Sequence, residues 1–347
     1  MLIRSIISSV VRPIGLSFHY THFRSRNRSY CVFREMGQEV LLSRTKRHAN
    51  FRLSNVSSFV TELLEIHADE PTLHVVFIPG NPGVVAFYKD LVESLYELLG
   101  GSVSLTAVGH ISHTMKNWEH GRLFSLQEQI DHKVELIKQE LQNNEVPIVL
   151  VGHSIGAYIS IETFKGIPEK VLYCIGLYPF LALNPQSRNQ SIIGKIAKSP
   201  IVCVALSSIA ALVGLLPLWA LRVILRKSLS KTWSNSAVEA GCSHLGKYHT
   251  VRNILFMAMT EFEKLSETPD WAFMREKQNK IAYLFGIDDH WGPLQMVEEI
   301  SRQVPDIALS IEREGHTHAF CCTEAGSTWV AHHVASLINN QISRSIH

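Results

Sequence analysis

The sequence predicts an α/β fold, a mostly parallel sheet flanked by helices. Two observations carry this. Short apolar runs alternate along the chain with amphipathic helical stretches, which implies right-handed crossovers between parallel strands. The apolar runs are also nearly continuous, as burial of both sheet faces requires.

In order, "NFRLSNVSSFVTELLEIH" has the β-branched and aromatic content of a strand pair. Leu73 to Ile78 is an apolar strand ending in the Pro/Gly/Asn cluster "PGNPG". Phe87, Leu91, Leu95 and Leu98 then recur at helical spacing, with Gly100 and Gly101 as the stop. "VSLTAVGH" is the next strand, and Ser125-x-x-Glu128 opens a helix with a capping-box pattern. "VPIVLVGHS" leads into the helix "IGAYISIETFKGI", ended at Pro168, and "VLYCIGLYP" is a further strand. The rhythm stops between about Phe180 and Gln278, then resumes with "KIAYLFGIDDHW", "IALSIEREGHTHAF" and a closing helix from about Glu324 to Ser343. The expected organisation is a leader over residues 1–40, a first half of the sheet domain over 50–180, an inserted helical cap over 181–278 and a second half over 279–347.

The chain has 347 residues, 46% of them hydrophobic, enough for a substantial core. With 33 basic and 31 acidic residues and a net charge of +2, composition supplies no argument for a nucleic-acid partner. Cys31, Cys174, Cys203, Cys242, Cys321 and Cys322 show no C-x-x-C spacing and read as free thiols. From Met1 to Arg34 there is no acidic residue, but Arg4, Arg12, Arg24, Arg26, Arg28 and Arg34 are present. That composition resembles a mitochondrial or plastid transit peptide; a basic extension ahead of a start at Met36 is the alternative.

Gly152-His153-Ser154-Ile155-Gly156 matches the pattern of a nucleophile elbow, where a serine stands on a sharp strand-to-helix turn and flanking glycines make room for it. A serine hydroxyl needs a base, and the base an acid; on such folds they follow in the order Ser, Asp or Glu, His. Asp288 or Asp289, and His316 or His318, follow the last two strands in that order, with Asp289 and His318 preferred. A metal set of His290, His316, His318 and an Asp is a competing reading that leaves the elbow unexplained. Oxyanion donors are expected from the Ile155 N–H and from the loop of Gly80 and Asn81, where Pro82 has no N–H to give.

These residues resemble those of the α/β-hydrolases, and more closely the lipid-droplet-associated hydrolase family. The likeness rests on Ile78-Pro79-Gly80-Asn81-Pro82-Gly83, Phe87-Tyr88, the elbow, Gly286-x-x-Asp289-x-Trp291-x-Pro293 and His318-Ala319-Phe320, over about residues 70–325. His290 stands where the family commonly has proline. The resemblance implies a triad of Ser154, Asp289 and His318, no cofactor, and hydrolysis of a lipid ester of the sterol ester or acylglycerol class at a lipid droplet. A weakly active or non-catalytic droplet-surface protein that organises droplet growth is the alternative.

Ser199 to Leu221 is a run of 23 uncharged residues, with Lys195 and Lys198 before it and Arg222, Arg226 and Lys227 after it. Gly214 and Pro217 interrupt it, and basic residues flank both ends, so it reads as a hairpin that enters and leaves one face of a membrane or droplet monolayer. The expected address is therefore the lipid droplet and ER surface.

Overall fold

The computed structural model describes residues 47–141, 146–228 and 232–346. The basic leader and Cys31 lie outside the described residues. The strands are β1 (Asn50–Val56), β2 (Phe59–Ile66), β3 (Leu73–Ile78), β4 (Val103–Val108), β5 (Ile148–His153), β6 (Val171–Leu177), β7 (Ile281–Gly286) and β8 (Ala308–Glu312). They form one sheet in the order β1-β2-β4-β3-β5-β6-β7-β8. β2 runs antiparallel to β1 and β4, and every other pairing is parallel. This is the α/β-hydrolase architecture. The β1–β2 hairpin turns through Ser57 and Ser58 with φ of 51° and 70°, the positive-φ pair that a two-residue turn between twisted strands requires.

Successive residues of the central strands point into different cores. Val75, Phe77, Val149, Val151, Ala282 and Leu284 pack on one face with helices α1 (Lys89–Leu98) and α11 (Glu324–Ile346). Val76, Ile78, Ile148, Leu150, Ile281, Tyr283 and Phe285 pack on the other with α2 (Leu126–Leu141), α3 (Ile155–Gly166) and α10 (Leu294–Gln303). Two-sided burial is the reason these strands lack polar alternation. The first helix begins later than its sequence period predicts: Phe87 lies in a 3₁₀ turn, Val85–Tyr88, which leads into Lys89.

Between β6 and β7 come α4 (Arg188–Ala197), α5 (Pro200–Val213), α6 (Leu218–Ser228), α7 (Asn235–Ala240), a π turn (Gly241–Leu245), α8 (Tyr248–Lys264) and α9 (Trp271–Glu276). Ser187, Ser199 and Ser234 accept hydrogen bonds from the N–H groups of Gln190, Val202 and Ala237, capping α4, α5 and α7. The uncharged run is thus split between α5 and α6 at Gly214–Pro217. Gly214 has a second reason to be glycine: a Cβ there would lie 2.1 Å from the Gly246 carbonyl oxygen.

The capping box of α2 is formed. Ser125 Oγ accepts from the Glu128 N–H at 3.3 Å, and Glu128 Oε2 accepts from the Ser125 N–H at 2.8 Å. Ser125→Ala should cost about 1 kcal/mol of stability, measured by urea unfolding; an unchanged midpoint would show that the cap contributes nothing.

Candidate active site and apolar surface

β5 lies between β3 and β6, and at its end the chain turns directly into α3. Ser154 occupies the turn with φ 57° and ψ −124°, a region that residues with a side chain rarely adopt. Neighbouring glycines make this possible. A Cβ at Gly152 would lie 2.1 Å from the Gly156 oxygen, and a Cβ at Gly156 would lie 2.2 Å from the Ile78 oxygen. Gly80 passes over the serine, where a Cβ would stand 3.0 Å from Ser154 Cβ.

The loops after β7 and β8 bring the other two side chains to the serine. His318 Nε2 lies 2.9 Å from Ser154 Oγ, and His318 Nδ1 lies 2.8 Å from Asp289 Oδ2. An ionised carboxylate only accepts, so Nδ1 carries the proton and Nε2 faces the hydroxyl as an acceptor. The other oxygen of Asp289 accepts from the Trp291 N–H at 2.9 Å. Asp288 and His316 are not part of this chain of contacts: Asp288 is exposed, and the His316 ring packs 5.7 Å from Trp329. Because His318 and His316 face different neighbours, the His290/His316/His318 set does not converge. Among the described residues no cluster of His, Cys, Asp or Glu has the arrangement of a metal site.

Asn81 lies in the loop above the elbow. Its side-chain Nδ2 donates to the Ile254 carbonyl and to Glu261 Oε1, both at 2.9 Å, so the side chain is turned toward α8. The Ile155 N–H belongs to the first turn of α3, where helix geometry supplies no acceptor.

Three residues around the site carry little signal in the sequence. The Gly80 N–H donates to the Tyr88 hydroxyl at 3.1 Å, and that hydroxyl shares a hydrogen bond with His153 Nδ1 at 2.7 Å. Burial, reinforced by the adjacent His318, keeps His153 far below the usual histidine range and so neutral. Trp291 packs 4.9 Å from Phe180, and Phe262 of α8 closes the cluster at 6.0 Å from Phe180. Tyr88 has a sequence signal only through its Phe-Tyr motif, His153 only as the variable position of the elbow, and Phe262 only as one apolar position of a helix. Ser154 is 8% exposed.

A second feature lies at α5 and α6. Cys203 and Leu206 of α5 pack on Leu255 of α8, while Ile201, Leu212, Leu215 and Trp219 are 83%, 67%, 80% and 69% exposed. No single helix among the described residues is long and apolar enough to cross a membrane; α4 and α5 pass that test only as a pair bent by 92°. Of the flanking cations, Arg222 is paired with Glu239 at 2.6 Å and Arg226 donates to Asn235 at 2.6 Å.

A family model described as lipid-droplet associated hydrolase matches residues 71–321. Relatives called lipid droplet-associated hydrolase include one from Gallus gallus, 29% identical over 269 residues, covering 72% of this chain and 80% of the relative. Another, from Dictyostelium discoideum, is 25% identical over 272 residues, covering 75% and 86%. Among solved structures, the haloalkane dehalogenase DbeA from Bradyrhizobium elkani superposes with a TM-score of 0.64 at 13% identity, over 85% of this chain and 99% of that one. A structure reported with carboxylesterases of Nitrososphaera gargenis gives 0.60 at 14% identity, over 84% and 100%. At such identities the likeness to these structures is one of fold.

Tyr88→Phe leaves the Gly80 N–H and His153 without the shared hydroxyl, both in a buried setting. The variant should lose about 1–3 kcal/mol in thermal or urea unfolding; wild-type stability would mean that the hydroxyl is dispensable to the loop.

Proposed function

We propose a function for this chain, which belongs to the lipid-droplet-associated hydrolase family: it is a serine esterase that cleaves lipid esters at a droplet or ER-derived surface. The observation that carries the reading is the continuous path Asp289–His318–Ser154, with hydrogen-bond distances of 2.8 and 2.9 Å and in the order nucleophile chemistry needs.

In this reading His318 Nε2 removes the proton from Ser154 Oγ as the oxygen attacks the ester carbonyl. Asp289 keeps the imidazole oriented and stabilises the imidazolium, while the Trp291 N–H holds the carboxylate's other oxygen. The Asn81 and Ile155 N–H groups stabilise the negative charge that develops on the carbonyl oxygen. His318 then returns the proton to the leaving alcohol, and water releases the acyl group by the same steps in reverse roles. No cofactor takes part in these steps. The helices between β6 and β7 serve as a cap, joined to the loop after β3 where α8 holds Asn81.

The exposed apolar side chains of α5 and α6 support a surface location. The two helices are joined by the break at Gly214–Pro217, and in this reading their exposed faces lie in the headgroup region of one leaflet, as a droplet monolayer demands. The sterol ester or acylglycerol class fits an apolar substrate reached from that surface.

Turnover of 4-nitrophenyl butyrate tests the chemistry. Ser154→Ala should abolish it, and Asp289→Asn should lower kcat by about 10⁴-fold through the wrong imidazole tautomer; wild-type rates in Ser154→Ala would sink the reading. The location has its own test: Leu215→Asp with Trp219→Asp should keep that turnover but lose flotation with triolein droplets coated in phosphatidylcholine. Undiminished flotation would rule out these helices as the anchor.

A further inference from the structure

We propose that Glu261 is a positioning residue for the oxyanion loop: together with the Ile254 carbonyl it holds the Asn81 side chain, and so sets where the Asn81 N–H points. The inference rests on the reading of that N–H as an oxyanion donor.

Both side-chain hydrogens of Asn81 go to α8, one to the Ile254 oxygen and one to Glu261 Oε1, at 2.9 Å each. On either side the loop is tied to the sheet domain, by the Gly80 N–H to Tyr88 and by the Gly83 N–H to His113 Nδ1 at 2.8 Å. Asn81 is therefore the point where this loop is joined to α8. Rotating its side chain requires its own backbone to turn, because a two-bond side chain tied at both hydrogens leaves little other freedom.

Glu261 is suited to this by being uncharged. It is 4% exposed, and no cation acts on it among the described residues. Of the elements packed on α8, α5 has no charged residue, α4 has Arg188 and Lys195, and the π turn has His244. α2 has Glu128, Asp131, His132, Lys133, Glu135, Lys138 and Glu140, and α8 itself carries His249, Arg252, Glu263 and Lys264. None of these moves the Glu261 carboxyl. Burial pushes it up to about 8, opposed only by the Asn81 hydrogen bond. At neutral pH it is a neutral acceptor. Above that value it acquires a negative charge one hydrogen bond from the residue that must stabilise an oxyanion, and the reaction slows.

The test uses the full chain and 4-nitrophenyl butyrate, with the Ser154→Ala rate subtracted at each pH. Wild type should lose kcat as pH rises through about 8. Glu261→Gln keeps an acceptor for Asn81 but cannot ionise, so its kcat should stay level over the same range. Glu261→Leu removes the acceptor and should lower kcat by roughly 10–100-fold at pH 7, with a smaller change in KM. A descending limb in Glu261→Gln equal to wild type, its absence from wild type, or wild-type kcat in Glu261→Leu would each overturn the inference while Ser154-dependent turnover persists. Absence of that turnover in wild type would instead remove the catalytic reading and this inference with it.

Discussion

The backbone of Ser154 is the constraint on which the rest depends. Its φ of 57° with ψ of −124° costs on the order of 1–3 kcal/mol and is kept only because surrounding bonds leave no relaxed alternative. Its N–H donates to the Leu177 oxygen at 2.9 Å, and its carbonyl accepts from Ala157 at 3.0 Å and Phe180 at 3.1 Å. These partners come from β6, α3 and the segment after β6. The loop after β3 must also pass close over Gly156, so the sheet order β3-β5-β6 and the sharp turn presuppose each other.

The helices between β6 and β7 are tied to the same point. Phe180, which bonds the Ser154 carbonyl, packs on Trp291, whose N–H holds Asp289. Gln190 of α4 donates to the His290 carbonyl at 2.9 Å, and α8 holds Asn81. Orientation of the acid and placement of the loop above the serine are thus shared with the segment that also carries the exposed apolar side chains of α5 and α6. α5 itself packs on α8 at Leu255.

Much of the fold was legible because its signals are local. Each strand is a short apolar run, and each crossover helix has its own period and cap, so the eight strands could be read in order. The strand order and the antiparallel placement of β2 depend on pairings between distant segments, such as Leu63 with Val108, which no local pattern encodes. The elbow was legible because steric need writes glycine at 152 and 156. The choice between Asp288 and Asp289 rested on position and resemblance, since the two carboxylates are chemically alike; in the fold one is exposed and the other faces His318. Glu261 was not legible at all. It sits among polar positions in "MTEFEKLSE" as a solvated helix residue would, and its partner Asn81 is 180 residues away.

The central claim is that Ser154 is the attacking nucleophile. The most direct measurement is reaction of the full chain with a fluorophosphonate followed by peptide mass mapping. The account predicts one adduct, on the peptide that contains Ser154, and its loss when His318 is replaced by alanine. A folded protein that takes up no adduct, or takes it up at another serine, would contradict it.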